Sequence, residues 1–332
     1  MRVRDLGITI GRFEPGERNA ITDVAGVRVG HTTLSYDDVR SGVTAIVPDR
    51  LVSERTTLPA GLAVGNGYGK LIGATQVEEL GDIETPILLT STLSAYRVAD
   101  ALVTYMLALP AHHDTISLNP VVGETNDGYL SDIRSRPVRA EHVLDAIESA
   151  GGAVAEGCVG AGTGTVALGY KGGIGTASRI VDVAGEQRTV GALVQSNFGG
   201  TLTVAGTPMP AEKVLSPKPP EPDGNSCMIV VATDASLDSR QLGRVARRAV
   251  FAMGRVGASY SHGSGDYALA FGTPGTPGMP PPDAALNGMF AAAMDVVEEA
   301  LLNSLFLAET TRGYRGRIAC AVPLHNHPWS RA

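Results

Sequence analysis

Leu215-Ser216-Pro217-Lys218-Pro219-Pro220-Glu221-Pro222-Asp223-Gly224-Asn225 runs directly into Ser226-Cys227-Met228-Ile229-Val230-Val231-Ala232. The first eleven residues hold four prolines, which lack a backbone donor and resist both helix and sheet, so they read as an exposed loop. The next seven are an apolar run that reads as a buried strand. An interdomain linker followed by an ordinary serine at a strand edge is the plainest account. A chemical account also exists. If the Ser226 hydroxyl attacked the Asn225 carbonyl, an N-to-O acyl shift and hydrolysis would leave Ser226 as a new N-terminus. Gly224 and Asn225 tolerate unusual backbone angles, so a strained bond is tolerable there. The freed serine would carry a hydroxyl and an α-amine that titrates near 7.7–8.0, a usable base at neutral pH.

Outward from this junction, β-rich runs alternate with helical patterns, the mark of an α/β or α+β protein. Val43–Pro48, Pro86–Thr90, Thr189–Val194, Met228–Ala232 and Tyr267–Phe271 read as strands. Leu93, Tyr96, Val98, Leu102, Tyr105, Met106 and Leu109 are spaced for a helix capped by Ser91 or Thr92. Helices are also predicted over His142–Ala150, ended by Gly151-Gly152, and over Leu242–Val256 and Ala284–Leu307.

The 332 residues allow one large domain or two smaller ones, with no need of disulfides or metals to build a core. Hydrophobic residues make up 43% and charged residues 18%, which excludes general disorder. About 23 glycines would be usual for this length. The chain has 41, which predicts tight turns and close backbone approaches. Net charge is −7 and no basic stripe occurs, so nucleic acid is not an expected partner. Arg244, Arg247 and Arg248 read as the solvated face of a helix. No apolar run reaches the roughly 20 residues that span a membrane, and no secretory signal opens the chain. Cys158, Cys227 and Cys320 suggest no disulfide framework, so the cytoplasm is the expected location.

Several familiar patterns fail. Gly160–Thr165 lacks the last glycine of a dinucleotide fingerprint, and Gly65–Lys70 is not a P-loop. There is no nucleophile elbow, no His-Glu-x-x-His and no Cys-x-x-Cys. His325-Asn326-His327 reads as a solvated tail rather than a metal site. No metal or organic cofactor is expected.

Four further segments carry usable chemistry. In Ser264-Gly265-Asp266, side chains two apart on a strand share a face, so an acid could orient a hydroxyl; a turn before the strand is the simpler account. Asn197 closes a strand before Gly199-Gly200, and its amide could donate to an oxyanion or merely shape a turn. Glu124, in Glu124-Thr125-Asn126-Asp127, could hold a substrate ammonium at a strand end, or cap a turn. Lys171–Arg179 reads as a glycine-rich loop with a lysine.

Taken in order, these segments resemble one family. Asn19–His31, Pro120–Thr125, Lys171–Arg179, Gln195–Gly199, Asn225-Ser226, Ala232–Ala235 and Gly263–Asp266 are similar to the blocks of the L-aminopeptidase/D-Ala-esterase/amidase family, which includes the β-peptidyl aminopeptidases. The resemblance implies an α+β fold, a four-layer α-β-β-α sandwich of the ornithine-acetyltransferase-like type. It implies one domain over residues 1–332, cut before Ser226 into chains 1–225 and 226–332. By match of position, Ser226 is the nucleophile and Asn225 the residue before the cut. Asn197 is the oxyanion residue, Ser264 the second active-site serine, and Glu124 the carboxylate that holds the substrate amine. Asp266 stands where the β-peptide enzymes often have glutamate, so the relay is shorter. Asn126 stands where characterised aminopeptidases have a tyrosine. Lys171 matches an active-site lysine of nylon-oligomer hydrolases. The expected function is a self-processing serine aminopeptidase or amidase on small peptides, amides or esters. A homo-oligomer is expected, a tetramer of αβ units being one form. An endo-acting amidase, an acyltransferase and a non-catalytic binding protein on the same fold are the rival readings.

Overall fold

A computed structural model describes residues 1–215, 225–274 and 278–324. The proline-rich residues 216–224 and the His325-Asn326-His327 tail lie outside the described residues. Eleven strands make two large sheets: β1 Val27–Tyr36, β2 Val39–Pro48, β3 Leu58–Gly67, β4 Leu71–Ile72, β5 Asp82–Ile83, β6 Ile87–Ser91, β7 Val121–Thr125, β8 Ile174–Val183, β9 Glu186–Asn197, β10 Ser226–Thr233 and β11 Gly265–Gly272. The first sheet has the order β1-β2-β6-β7-β4, and the second β8-β9-β10-β11-β3-β5. Neighbours are antiparallel except β6 with β7 and β10 with β11. Helices α1 Ala95–Ala108 and α2 Ala140–Glu148 cover the first sheet, and α3 Ser239–Arg255 and α4 Asn287–Phe306 cover the second. This is the four-layer α-β-β-α sandwich.

The layering follows from side-chain alternation along strands buried on both faces. In β10, Ile229 and Val231 point to α3 and α4, packing with Leu242, Val245, Ala249, Val296 and Leu301. Met228, Val230 and Ala232 point the other way, into the layer between the sheets, with Leu193, Leu269, Ile46, Ile87, Leu89 and Val121. A third cluster joins Val43, Leu88 and Val122 of the first sheet to Val98, Leu102, Met106, Val143 and Ile147 of α1 and α2. Helix α3 begins where Asp238 accepts the Gln241 N–H at 2.7 Å, one turn before the predicted start.

Several predicted elements differ, each for a local reason. Neither Ser91 nor Thr92 caps α1; a 3₁₀ turn, Thr92–Ser94, comes first, and the Thr92 hydroxyl donates to Glu124 instead. Helix α2 ends at Glu148, short of Gly151, because Gly151 is bonded to Val29 of β1 in both directions. A 3₁₀ turn, Asp283–Leu286, precedes α4. Most of Lys171–Arg179 is strand β8, not loop: a Cβ on Gly175 would lie 2.0 Å from the Ala300 carbonyl oxygen, so that glycine marks close approach of α4. Of the arginines expected on a solvated face, Arg247 is exposed, whereas Arg244 and Arg248 lie over the Phe290 ring at 4.8 and 4.0 Å.

Helix α4 is apolar on nearly every side, and the N-terminal segment covers it. Asn303 accepts the Val3 N–H at 3.0 Å. Glu299 is fully buried and receives Arg4 at 2.9 Å together with the buried guanidinium of Arg179. Removing one member of a buried ion pair leaves an uncompensated charge and costs about 3–5 kcal/mol. Glu299→Ala is therefore expected to lower the unfolding free energy from denaturant titration by that amount without changing secondary structure; a change under about 1 kcal/mol would show that Arg179 is satisfied by its carbonyl partners.

Candidate active site

The register of the second sheet assembles the centre of the site. Ser226, the first residue of β10, pairs with Asn197 at the end of β9 on one side and with Gly265 at the start of β11 on the other. Ser226 is 4% exposed and Asn197 2%. Asn197 accepts the Val166 N–H on Oδ1 at 2.9 Å, which orients its amide with Nδ2 as the donor face. The Asn225 carbonyl, immediately before Ser226, accepts the Gly265 N–H at 3.0 Å. The Asn225 side chain donates to Ser261 Oγ at 3.2 Å.

Ser264 sits just before β11 rather than within it, yet its hydroxyl donates to Asp266 Oδ1 at 2.8 Å. Asp266 is fully buried, and no partner is found for Oδ2 among the described residues. Burial pushes its carboxyl up to about 6, against the opposing hydrogen bond from Ser264.

Glu124 lies inside β7, not at its end, and is buried. Its Oε2 accepts the Thr92 hydroxyl, and its Oε1 accepts the Lys70 backbone N–H at 3.0 Å and Lys70 Nζ at 3.4 Å. Asn126 is half-buried and turned onto its own loop, with Oδ1 accepting the Gly128 N–H at 2.9 Å. Lys171 is fully buried; its Nζ donates to the carbonyls of Gly162 at 2.9 Å and Gly172 at 2.6 Å, and burial lowers its pKa. It pairs in a short ribbon with Val166, whose N–H holds Asn197, so it supports that asparagine from behind. Asp127 beside them is pushed up to about 7 by burial.

The segment Asn66–Lys70, noted in the sequence only as a failed P-loop, is a wall of this site. Asn66 Nδ2 donates to the carbonyls of Ser261 at 2.9 Å and Ser264 at 2.6 Å, and the Tyr68 N–H donates to Ser264 O at 3.1 Å. Tyr267 donates its hydroxyl to Gly69 O at 3.0 Å. A Cβ on Gly265 would stand 2.7 Å from Gly69 Cα. One on Gly69 would stand 3.5 Å from Glu124 Oε1. The two glycines therefore let Glu124 of the first sheet approach the Ser226 end of the second. Lys70, Thr92, Asn66 and the Gly265 N–H are parts of this candidate site that the sequence reading did not assign to it. For Asn66 and Lys70 the sequence signal was the glycine spacing of residues 65–69.

The family model for peptidase family S58 matches residues 19–319. The chain belongs to peptidase family S58. The β-peptidyl aminopeptidase BapA of Sphingosinicella microcystinivorans is 40% identical over 97% of this chain and 89% of its own. The L-aminopeptidase D-Ala-esterase/amidase of Ochrobactrum anthropi, described as a variant of the Ntn hydrolase fold, superposes with a TM-score of 0.89 at 35% identity, over 97% of this chain and 95% of that one. The PH0078 protein of Pyrococcus horikoshii superposes at 0.90 with 44% identity, over 97% and 96%. This S58 member is thus a hydrolase of the serine aminopeptidase kind on an N-terminal-nucleophile fold. No helix among the described residues is long and apolar enough to cross a membrane.

Raising the folded pKa of Asp266 has a consequence for stability. Unfolded, the carboxyl ionises near 3.9; folded, near 6. The neutral form favours the fold, so this contribution is full below about pH 4 and is lost as pH rises through about 6. Asp266→Asn, neutral throughout, should therefore gain melting temperature relative to the unsubstituted protein between about pH 4.5 and 7. A constant difference across that range would place the Asp266 pKa near its ordinary value.

Proposed function

We propose that the chain cuts itself between Asn225 and Ser226 and then removes N-terminal residues from small peptides, amides or esters through an acyl-enzyme on Ser226. The observation that supports this reading is the register of Asn197, Ser226 and Gly265 at one end of the second sheet. In the first event, Ser226 Oγ bonds to the Asn225 carbonyl carbon, with the Gly265 N–H drawing electron density onto the carbonyl oxygen. The C–N bond breaks as the Ser226 nitrogen takes up the proton that Oγ has lost and leaves as a primary amine, and water hydrolyses the resulting ester. The products are chains of residues 1–225 and 226–332, held as one αββα domain by the shared second sheet.

In turnover, the substrate ammonium sits against Glu124 and its carbonyl carbon faces Ser226. The Ser226 α-amine takes the hydroxyl proton, directly or through water, as Oγ bonds to carbon. Asn197 Nδ2 donates to the oxyanion, and Ser264 with Asp266 orients the nucleophile. Collapse breaks the scissile C–N bond, and the leaving amine takes the proton from the Ser226 ammonium. Water, deprotonated by the same amine, then cleaves the ester and releases the N-terminal residue. Lys171 holds the loop behind Asn197, and Asn126 borders the oxyanion side. Similarity to β-peptidyl aminopeptidases suits β-amino acyl groups as well as α-amino acyl groups. Three free thiols suit a reducing cytoplasm. A homo-oligomer, such as a tetramer of αβ units, completes the proposal.

Two measurements test it. Intact mass should resolve the active protein into chains of 225 and 107 residues, while Ser226→Ala stays one inactive chain. Active protein with an uncut chain would overturn the mechanism. A free-amine p-nitroanilide should exceed its N-acetyl form in kcat/KM by about ten- to a hundredfold or more, because a charge-assisted contact contributes roughly 1.5–3 kcal/mol. Glu124→Gln should remove most of that preference. Equal rates on both substrates would favour an endo-acting amidase.

A further inference from the structure

We infer that Lys70 is a built-in occupant of the substrate-ammonium site, so that this chain recognises an amine by exchanging one cation for another at Glu124. The inference rests on the aminopeptidase reading above and adds a specificity-determining residue to it. The donors on Glu124 are of two kinds. Thr92 Oγ1 and the Lys70 backbone N–H belong to packed backbone segments, and the latter is fixed through the tie between Gly69 O and the Tyr267 hydroxyl. The third donor, Lys70 Nζ, ends a flexible four-carbon stem. It stands 3.4 Å from Oε1, longer than the roughly 2.7–2.9 Å of a tight charged hydrogen bond. The Lys70 side chain is 37% exposed, whereas that of Glu124 is 2% exposed. The ammonium can therefore swing into solvent without moving the loop, and the carboxylate cannot follow it.

This arrangement answers a problem that a buried ammonium receptor faces. A carboxylate as buried as Glu124 is costly to leave unpaired. Lys70 neutralises it in the free enzyme, and the two fixed donors stay when Lys70 leaves. An incoming ammonium then replaces like with like. A ligand without that charge has to displace Lys70 and leave Glu124 uncompensated, or bind beside a filled site. Rejection of neutral N-termini thus becomes an active discrimination, not merely the lack of an attraction. The cost is competition, because Lys70 opposes every productive substrate as a tethered rival.

The test uses the full, self-processed protein with β-alanine p-nitroanilide and its N-acetyl form. Lys70→Met keeps the backbone donor and removes the rival. It should lower KM for the free amine about two- to fivefold, the range of a partly exposed ion pair, with kcat unchanged. The N-acetyl substrate should not improve in parallel. Lys70→Arg holds the carboxylate more firmly through its planar fork and should raise KM for the free amine. Opposite shifts from the two variants support the exchange. An unchanged or higher KM in a processed, folded Lys70→Met overturns it, as does an unchanged or lower KM in Lys70→Arg. The aminopeptidase reading is judged separately, by whether the unsubstituted enzyme prefers the free amine at all.

Discussion

Gly69 and Gly265 meet backbone to backbone, and the site depends on that meeting. Gly265 begins the strand that pairs with Ser226, and Gly69 lies in the loop whose next residue bonds Glu124. Any side chain on Gly265 would run into the Gly69 main chain, which cannot move aside as a flexible side chain would. The contact joins the two sheets at their functional end. It sets the separation between the carboxylate on the first sheet and the serine on the second. The Asn66 and Tyr267 hydrogen bonds hold the loop in that position.

Electrostatics then divides the buried groups by role. Glu124 is ringed by three donors, the Thr92 hydroxyl, the Lys70 N–H and Lys70 Nζ. Among the described residues Asp266 takes the Ser264 hydroxyl on Oδ1 and no donor on Oδ2, and burial raises its pKa. Lys171 rests on two carbonyls and is pushed the opposite way, toward neutrality. Donors fixed in advance need no reorganisation when charge develops, which is the property an acyl-transfer site requires. The same reasoning explains the position of Asn197. The Val166 N–H occupies its oxygen, so the amide does not rotate to present the wrong atom.

Much of this was legible in the linear order of residues. The apolar run after Ser226, the Ser264–Asp266 spacing and the long helical patterns over α3 and α4 all read locally, because period and polarity are local properties. The wall from Asn66 to Lys70 did not. Its residues act through partners about 54 to 198 positions away, on β7 and around β11. The Lys171–Arg179 stretch was misread for a related reason. Gly175 fits against α4 and Gly172 against the Ser196 main chain, and glycine in a sequence does not distinguish a turn from a close approach.

By itself, the sequence determined the class of chemistry: a serine opening a buried strand after an asparagine, with a hydroxyl–carboxylate pair downstream and blocks shared with one hydrolase family. Covalent reactivity belongs to residue types and their immediate neighbours, so it survives in one dimension. Tertiary structure alone decided how those groups are held. It paired Lys70 with Glu124, turned Thr92 from helix cap to carboxylate donor, and put the Gly265 N–H on the Asn225 carbonyl. Hydrogen bonds and burial act over a few ångströms of space, whatever the separation along the chain, so only the packed sandwich could reveal them.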